Sequence, residues 1–137
     1  ANYAALACTD FPTCQGVWWP TMDFTEGFVL WRGLGVNYEF GVLEHPARTA
    51  IHFTHRIGAL VVFLYLGILA IILMRRGGKL ITAGLPLGLL LLLQIGLGIA
   101  NVVLHLPLAV AVAHNAVAAL LLLSMIYVNF LLWRQQY

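Results

Sequence analysis

Between Ile57 and Met74 the chain runs for eighteen residues without one charged side chain. That run constrains the fold more than any other feature. It is long enough for a helix to cross the roughly 30 Å of a bilayer's hydrocarbon core, where backbone polar groups must be satisfied internally. The helix is expected to begin near Thr49, because Pro46 is a natural stop just before it. Two further uncharged runs follow, Leu80 to Leu104 and Leu108 to Trp133, separated by the turn His105-Leu106-Pro107. Pro86 falls inside the second run and is expected to be tolerated or to kink it. The expected class is all-α transmembrane, with spans at about 49–74, 80–104 and 108–133 in a three-helix region of 48–137, and residues 1–47 forming a loop outside the membrane. Composition agrees: 62% of the residues are hydrophobic and 9% charged, far from the roughly 25% charged of soluble domains. Lys and Arg punctuate apolar runs and do not cluster on a polar face, which excludes a nucleic-acid partner.

Charge also sets direction. Asp10, Asp23, Glu26, Glu39 and Glu44 all precede residue 48, and every later formal charge is positive. The positive-inside rule places the turn Arg75-Arg76-Gly77-Gly78-Lys79 and Arg134 in the cytoplasm, so the first 47 residues face the other side. The expected location is a bacterial inner membrane, multi-pass, with a periplasmic amino-terminal loop and a cytoplasmic carboxy terminus; in a eukaryote it is the mitochondrial inner membrane. Trp18, Trp19, Trp31, Trp133 and Tyr137 suit interfacial belts, and the spacing of Phe24, Phe28 and Trp31 suggests a short interfacial helix. The chain starts Ala1-Asn2-Tyr3, with no initiator Met and no basic leader. It is therefore expected to be a piece of a larger protein, with at least one upstream helix missing.

Cys8 and Cys14 flank five residues on the oxidising side, where two near thiols normally form a disulfide. The spacing differs from the Cys-x-x-Cys of typical oxidoreductases, which favours a structural bond; a pair exchanging electrons with quinone or another protein is the alternative.

His55 lies six residues past Thr49 and His114 six past Leu108, so by count both sit roughly 9 Å below the same surface. Two imidazoles at matching depth can supply both axial ligands of a haem iron between helices. Gly58, Ala59, Ala111 and Ala118 leave room for a porphyrin, although small residues also suit plain helix packing. The plainer alternative is that each His hydrogen-bonds a neighbouring helix. His52, one turn before His55, is a candidate for a propionate contact, a proton relay or an alternative ligand. Arg56, and Arg48 similarly, are candidates for pairing with a propionate. His45 and His105 lie in loop and turn, where solvation is the ordinary outcome. A zinc or copper site lacks donors, since the spans hold no Cys, Asp or Glu. Gln94, Asn101 and Asn115 are expected to be interhelical hydrogen-bonders.

Four stretches, taken in order and spacing, resemble the haem A synthase family of CtaA and Cox15 proteins. They are Ala7-Cys8-Thr9-Asp10-Phe11-Pro12-Thr13-Cys14, then Ile51-His52-Phe53-Thr54-His55-Arg56, then Gln94-Ile95-Gly96-Leu97-Gly98, and finally Leu106-Pro107-Leu108 with Ala113-His114-Asn115. The resemblance covers essentially the whole chain and implies the second half of an eight-helix protein built as two similar four-helix bundles. The chain then corresponds to the last three helices and the preceding external loop, an incomplete bundle. The resemblance further implies that His55 and His114 bind haem b, and that Cys8 and Cys14 are the family's external cysteine pair. The family's other half carries a Glu three residues before its His-Arg pair, where this chain has His52, a departure that fits the cofactor half. The implied activity is an oxidoreductase's, oxidation of a methyl group on haem O to the formyl group of haem A for terminal oxidases. This fragment alone is expected to be inactive. Implied partners are the missing amino-terminal half, haem O as substrate, an electron donor, haem O synthase, oxidase assembly factors and the lipid bilayer. The rival readings are a generic bis-His cytochrome b-like electron-transfer subunit, a quinone-linked membrane thiol oxidoreductase using Cys8 and Cys14, and a structural module that binds nothing.

Overall fold

Without water, a chain this apolar can satisfy its peptide groups only within helices or a closed barrel. The computed structural model, which describes residues 7–29 and 43–134, shows helices and no strand among those residues. A single helical turn, α1 (Phe24–Gly27), precedes α2 (His45–Arg76), α3 (Ile81–Val103) and α4 (Leu108–Arg134), with a 3₁₀ turn at Gly78–Leu80. The three long helices are each long and apolar enough to cross a membrane. Their outward residues are large and apolar, with Val61, Leu92, Leu122 and Leu123 each at least 60% exposed. Such a surface is at home against lipid, and the chain is a membrane protein.

α2 starts at His45, four residues before the expected entry at Thr49. Pro46 therefore does not stop the helix but sits in its first turn, where the missing N–H has no intrahelical partner to lose and the fixed φ is already helical. Pro86 is accommodated inside α3 without interrupting it. Asp23 caps α1, its carboxylate accepting the N–H of Glu26 at 2.9 Å. Phe24 and Phe28 stack with ring centroids 6.3 Å apart. The helix ends at Gly27 with Phe28 as its C-cap, shorter than the expected helix through Phe28, and Trp31 lies outside the described residues.

Contacts divide the chain into two units. One contains the chain up to Gly58 together with Val102–Leu106. Within it, Gly27 lies against α2, where a Cβ would come 3.0 Å from the carbonyl oxygen of Ala47. His105 and Leu106 take left-handed backbone at φ 59° and 61°. That conformation costs a non-glycine residue roughly 1–2 kcal/mol.

The other unit holds Ala59–Asn101 and Pro107–Tyr137. Its core is Leu66, Ala70 and Leu73 of α2, Leu80, Ala83, Leu87 and Leu91 of the 3₁₀ turn and α3, and Leu121 and Val128 of α4. Spacings of three, four and seven residues place each helix's contribution on one stripe. α2 and α3 approach closely because Gly84 and Gly88, one turn apart, both face Ala70. A Cβ on Gly84 would meet Leu73 Cβ at 2.9 Å and the Ala70 carbonyl oxygen at 3.0 Å. At Gly96, in the same helix, nothing lies within 4 Å of a Cβ.

Gly84→Ala and Gly96→Ala are therefore expected to act oppositely. The first destabilises the intact protein by about 1–3 kcal/mol through overpacking, and the second leaves stability unchanged or raises it by about 0.5–1 kcal/mol. Unfolding by SDS titration in mixed micelles measures both.

Candidate functional site

The sequence places His45, Thr49, His52 and Arg56 at intervals of four, three and four residues, one stripe along the first three turns of α2. In the first unit this stripe is occupied by the loop that carries the cysteines. Cys8 and Cys14 are joined by a disulfide with an S–S distance of 1.99 Å, and they are 0% and 2% exposed. Asp10 organises the interior of the ring. Its carboxylate accepts the hydroxyl of Thr13, the N–H of Gln15 at 2.6 Å and the N–H of Gly16 at 3.1 Å. Gln15 and Gly16 both have positive φ, 58° and 75°, which turns these two N–H groups toward one acceptor. The Thr13 hydroxyl is the chief cause that holds the Asp10 carboxyl below the ordinary carboxylate range, opposed by desolvation and reinforced by the N–H groups of Gly16 and Gln15.

Docking uses every polar member of the helix stripe. The Cys8 N–H donates to His52 Nδ1 at 3.2 Å. Arg56 donates from Nη2 to the Asp10 carbonyl at 2.7 Å, and from Nη1 to the carbonyls of Thr13 at 2.8 Å and Pro12 at 3.5 Å. Gln15 reaches back with Nε2, donating to the Ala7 carbonyl at 3.2 Å and to Thr49 Oγ1 at 3.0 Å, and lying 2.7 Å from His45 Nε2. Arg56 also stands over the Phe11 ring at 5.7 Å, and Trp19 meets Phe53 edge-on at 5.3 Å.

The loop therefore engages His52 and Arg56, the two residues expected to face a cofactor. His45, expected to be solvated in the loop, begins α2 and meets Gln15. Gln15 had no part in the reading of the sequence, and Asp10 entered it only as an external acid and as a member of the cysteine-loop stretch, with no structural role. Their only signal there was the helical spacing of 45, 49, 52 and 56, which demands a polar partner along that stripe.

His55 lies outside the stripe, on an exposed side of α2. Gly58, three residues on, has nothing within 4 Å of a Cβ, so a flat ring can approach the helix there. Counted from the observed helix starts, His55 is ten residues along α2 and His114 six along α4. These are about 15 and 9 Å at 1.5 Å per residue. The equal counts from Thr49 and Leu108 assumed that α2 begins at Thr49, whereas it begins four residues earlier, with its first turns under the loop.

In the second unit His114 projects from α4 against α3. Gln94 Nε2 lies 3.2 Å from His114 Nε2. With the amide as donor, the imidazole carries a lone pair at Nε2. One turn along α3, Gly98 leaves space for the ring, since a Cβ there would come 3.2 Å from His114 Cε1. Gln94 Oε1 and Asn101 Oδ1 are buried without a hydrogen-bond partner among the described residues. Asn115 is exposed. No group of three or more His, Cys, Asp or Glu gathers among the described residues. A porphyrin iron differs from a bare ion in needing only two axial donors from protein, and accessible or lone-pair-bearing imidazoles such as His55 and His114 fit that need.

The chain matches the family model COX15-CtaA, cytochrome oxidase assembly protein, over residues 1–126. It is 46% identical over 135 residues to a heme A synthase of Shewanella oneidensis. The match covers 98% of this chain and 41% of the relative, so the chain spans less than half of that protein's length. No solved structure matches the chain.

Two outcomes are expected for the disulfide in the intact protein. Arg56→Ala removes charge-assisted hydrogen bonds of about 1.5–3 kcal/mol. Reduction of Cys8–Cys14 by a phosphine, trapped by alkylation, then accelerates about ten- to a hundredfold. Because Asp10 titrates below its ordinary range, its contribution is complete above that range and lost as pH falls through its folded value. The reduction rate of the wild type is therefore flat from neutrality to about pH 4 and rises below it.

Proposed function

Because the chain belongs to the COX15-CtaA family of cytochrome oxidase assembly proteins, we propose that it is the haem b-binding, carboxy-terminal half of a haem A synthase. The observation that carries this reading is the seat of His114. The imidazole of His114 meets the Gln94 amide at Nε2 and is given clearance by Gly98. With the amide as donor, Nε2 holds a lone pair that would be ceded to iron. His55, exposed beside the open position of Gly58, would be the second axial ligand. When bound, the haem supplies one-electron transfer at a potential set by its ligands and burial. The residues of this chain hold the two imidazoles, keep water from them with the apolar spans, and fix α2 beneath the disulfide loop.

In the proposal the whole protein oxidises a methyl group of haem O to the formyl group of haem A. The substrate half and the donor of electrons lie outside this chain, and haem O synthase and oxidase assembly factors are the partners. The basic turn Arg75–Lys79 and Arg134 face the cytoplasm of a bacterial cell, and residues 1–47 form the loop on the periplasmic side. The disulfide is structural: exchange needs an accessible sulfur, and both cysteines are buried. That burial weighs against the quinone-linked thiol oxidoreductase.

The test is the reduced-minus-oxidised optical spectrum of the intact, detergent-purified protein with His55→Ala and His114→Ala. A low-spin b-type spectrum in the wild type, lost in each variant, is expected. Retention of the spectrum in both variants would end the bis-His reading.

A further inference from the structure

His52 accepts a hydrogen bond at Nδ1 from the backbone N–H of Cys8, 3.2 Å away. An imidazolium has no acceptor, and a neutral ring that accepts at Nδ1 carries its proton on Nε2. The bond therefore chooses one of three forms of His52: neutral, with Nε2–H. In that form the ring offers no lone pair to a metal. Nδ1 is taken by the loop, and Nε2 holds a hydrogen. His52 presents instead a single donor, Nε2–H, which makes no hydrogen bond among the described residues.

The donor has company. Arg48, His52 and Arg56 follow one another at four-residue intervals on α2 and so share a face of the helix. The Nε atoms of Arg48 and Arg56 are buried and have no hydrogen-bond partner among the described residues. The terminal nitrogens of Arg56 are committed to loop carbonyls. Asp10, the nearby carboxylate, is turned inward to Thr13, Gln15 and Gly16. The result is an excess of N–H donors and of positive charge, one helical turn from His55.

We infer that the disulfide loop selects the Nε2–H form of His52, which makes it a hydrogen-bond donor to a carboxylate of the bound porphyrin and withholds it from the iron. The ligand class is an anionic carboxylate on a flat apolar ring, and the inference rests on the haem reading above. The Cys8–Cys14 bond enters as a positioning element, since it closes the ring that presents the Cys8 N–H to α2.

The first arm of the test is nitrogen NMR of the intact wild-type protein labelled at histidine. A pyridine-type resonance at His52 Nδ1 with a pyrrole-type resonance at Nε2 is expected; the reverse tautomer or the cation overturns the inference. It needs neither a variant nor haem, so it separates this proposal from the bis-His reading. The second arm compares wild type, His52→Leu and His52→Gln loaded with haem b or with its dimethyl ester, in which the carboxylates are blocked. His52→Leu is expected to keep the low-spin spectrum, to release haem b about tenfold more readily, and to lower the midpoint potential. His52→Gln, whose amide both accepts and donates, restores the wild-type values, and the ester abolishes the difference among the three. Loss of the low-spin spectrum in His52→Leu would make His52 a ligand. An equal loss with the ester would remove the carboxylate from the account.

Discussion

Hydrocarbon offers a peptide group no hydrogen-bond partner, and every part of this structure answers to that fact. In α2, α3 and α4 the answer is the helix itself, and side chains are then free to be apolar in all directions. The loop before α2 cannot answer so simply. Its turns leave N–H groups and carbonyls unmatched, and these are met by Asp10 from within and by His52, Arg56 and Gln15 across to the helix. The charged and polar residues of the amino-terminal unit are thus largely consumed in making an irregular segment tolerable beside a membrane helix.

Exclusion of charge is a signal that survives without coordinates, which is why the three spans and the all-α class were legible in the residues. Helix starts were less so. Pro46 carries opposite meanings before a helix and inside its first turn, and only the rest of the chain decides between them. The depth match of His55 and His114 inherited that ambiguity. Gln94 was legible as an interhelical hydrogen-bonder from its amide amid apolar residues, but its partner, His114, was not. His52 and Arg56 were the least legible. Their spacing to His55 suggests a shared purpose, whereas their partners are main-chain atoms of residues more than forty positions away. Main-chain atoms leave no mark on a sequence.

Helix packing in the second unit shows a similar division between what a pattern reveals and what it hides. The stripe Leu66, Ala70, Leu73 is visible as a period. That Ala70 is small because Gly84 and Gly88 lie against it is visible only in the pair. Without a hydrophobic drive between helices in lipid, such close backbone approach is itself the source of cohesion. The same absence of side chains that packs α2 on α3 gives His114 its space beside Gly98.

Arg56 addresses the carbonyls of Asp10, Pro12 and Thr13, not their side chains. The recognition is lopsided as a result. On the helix side one guanidinium of fixed shape is required, and lysine offers neither its fork nor its reach. On the loop side Arg56 requires only that the path of the main chain be kept. Variation is thereby channelled: at Thr9, whose exposed side chain makes no hydrogen bond among the described residues, residues can drift so long as the ring closes along the same path, while Asp10, Thr13 and the helix are held still.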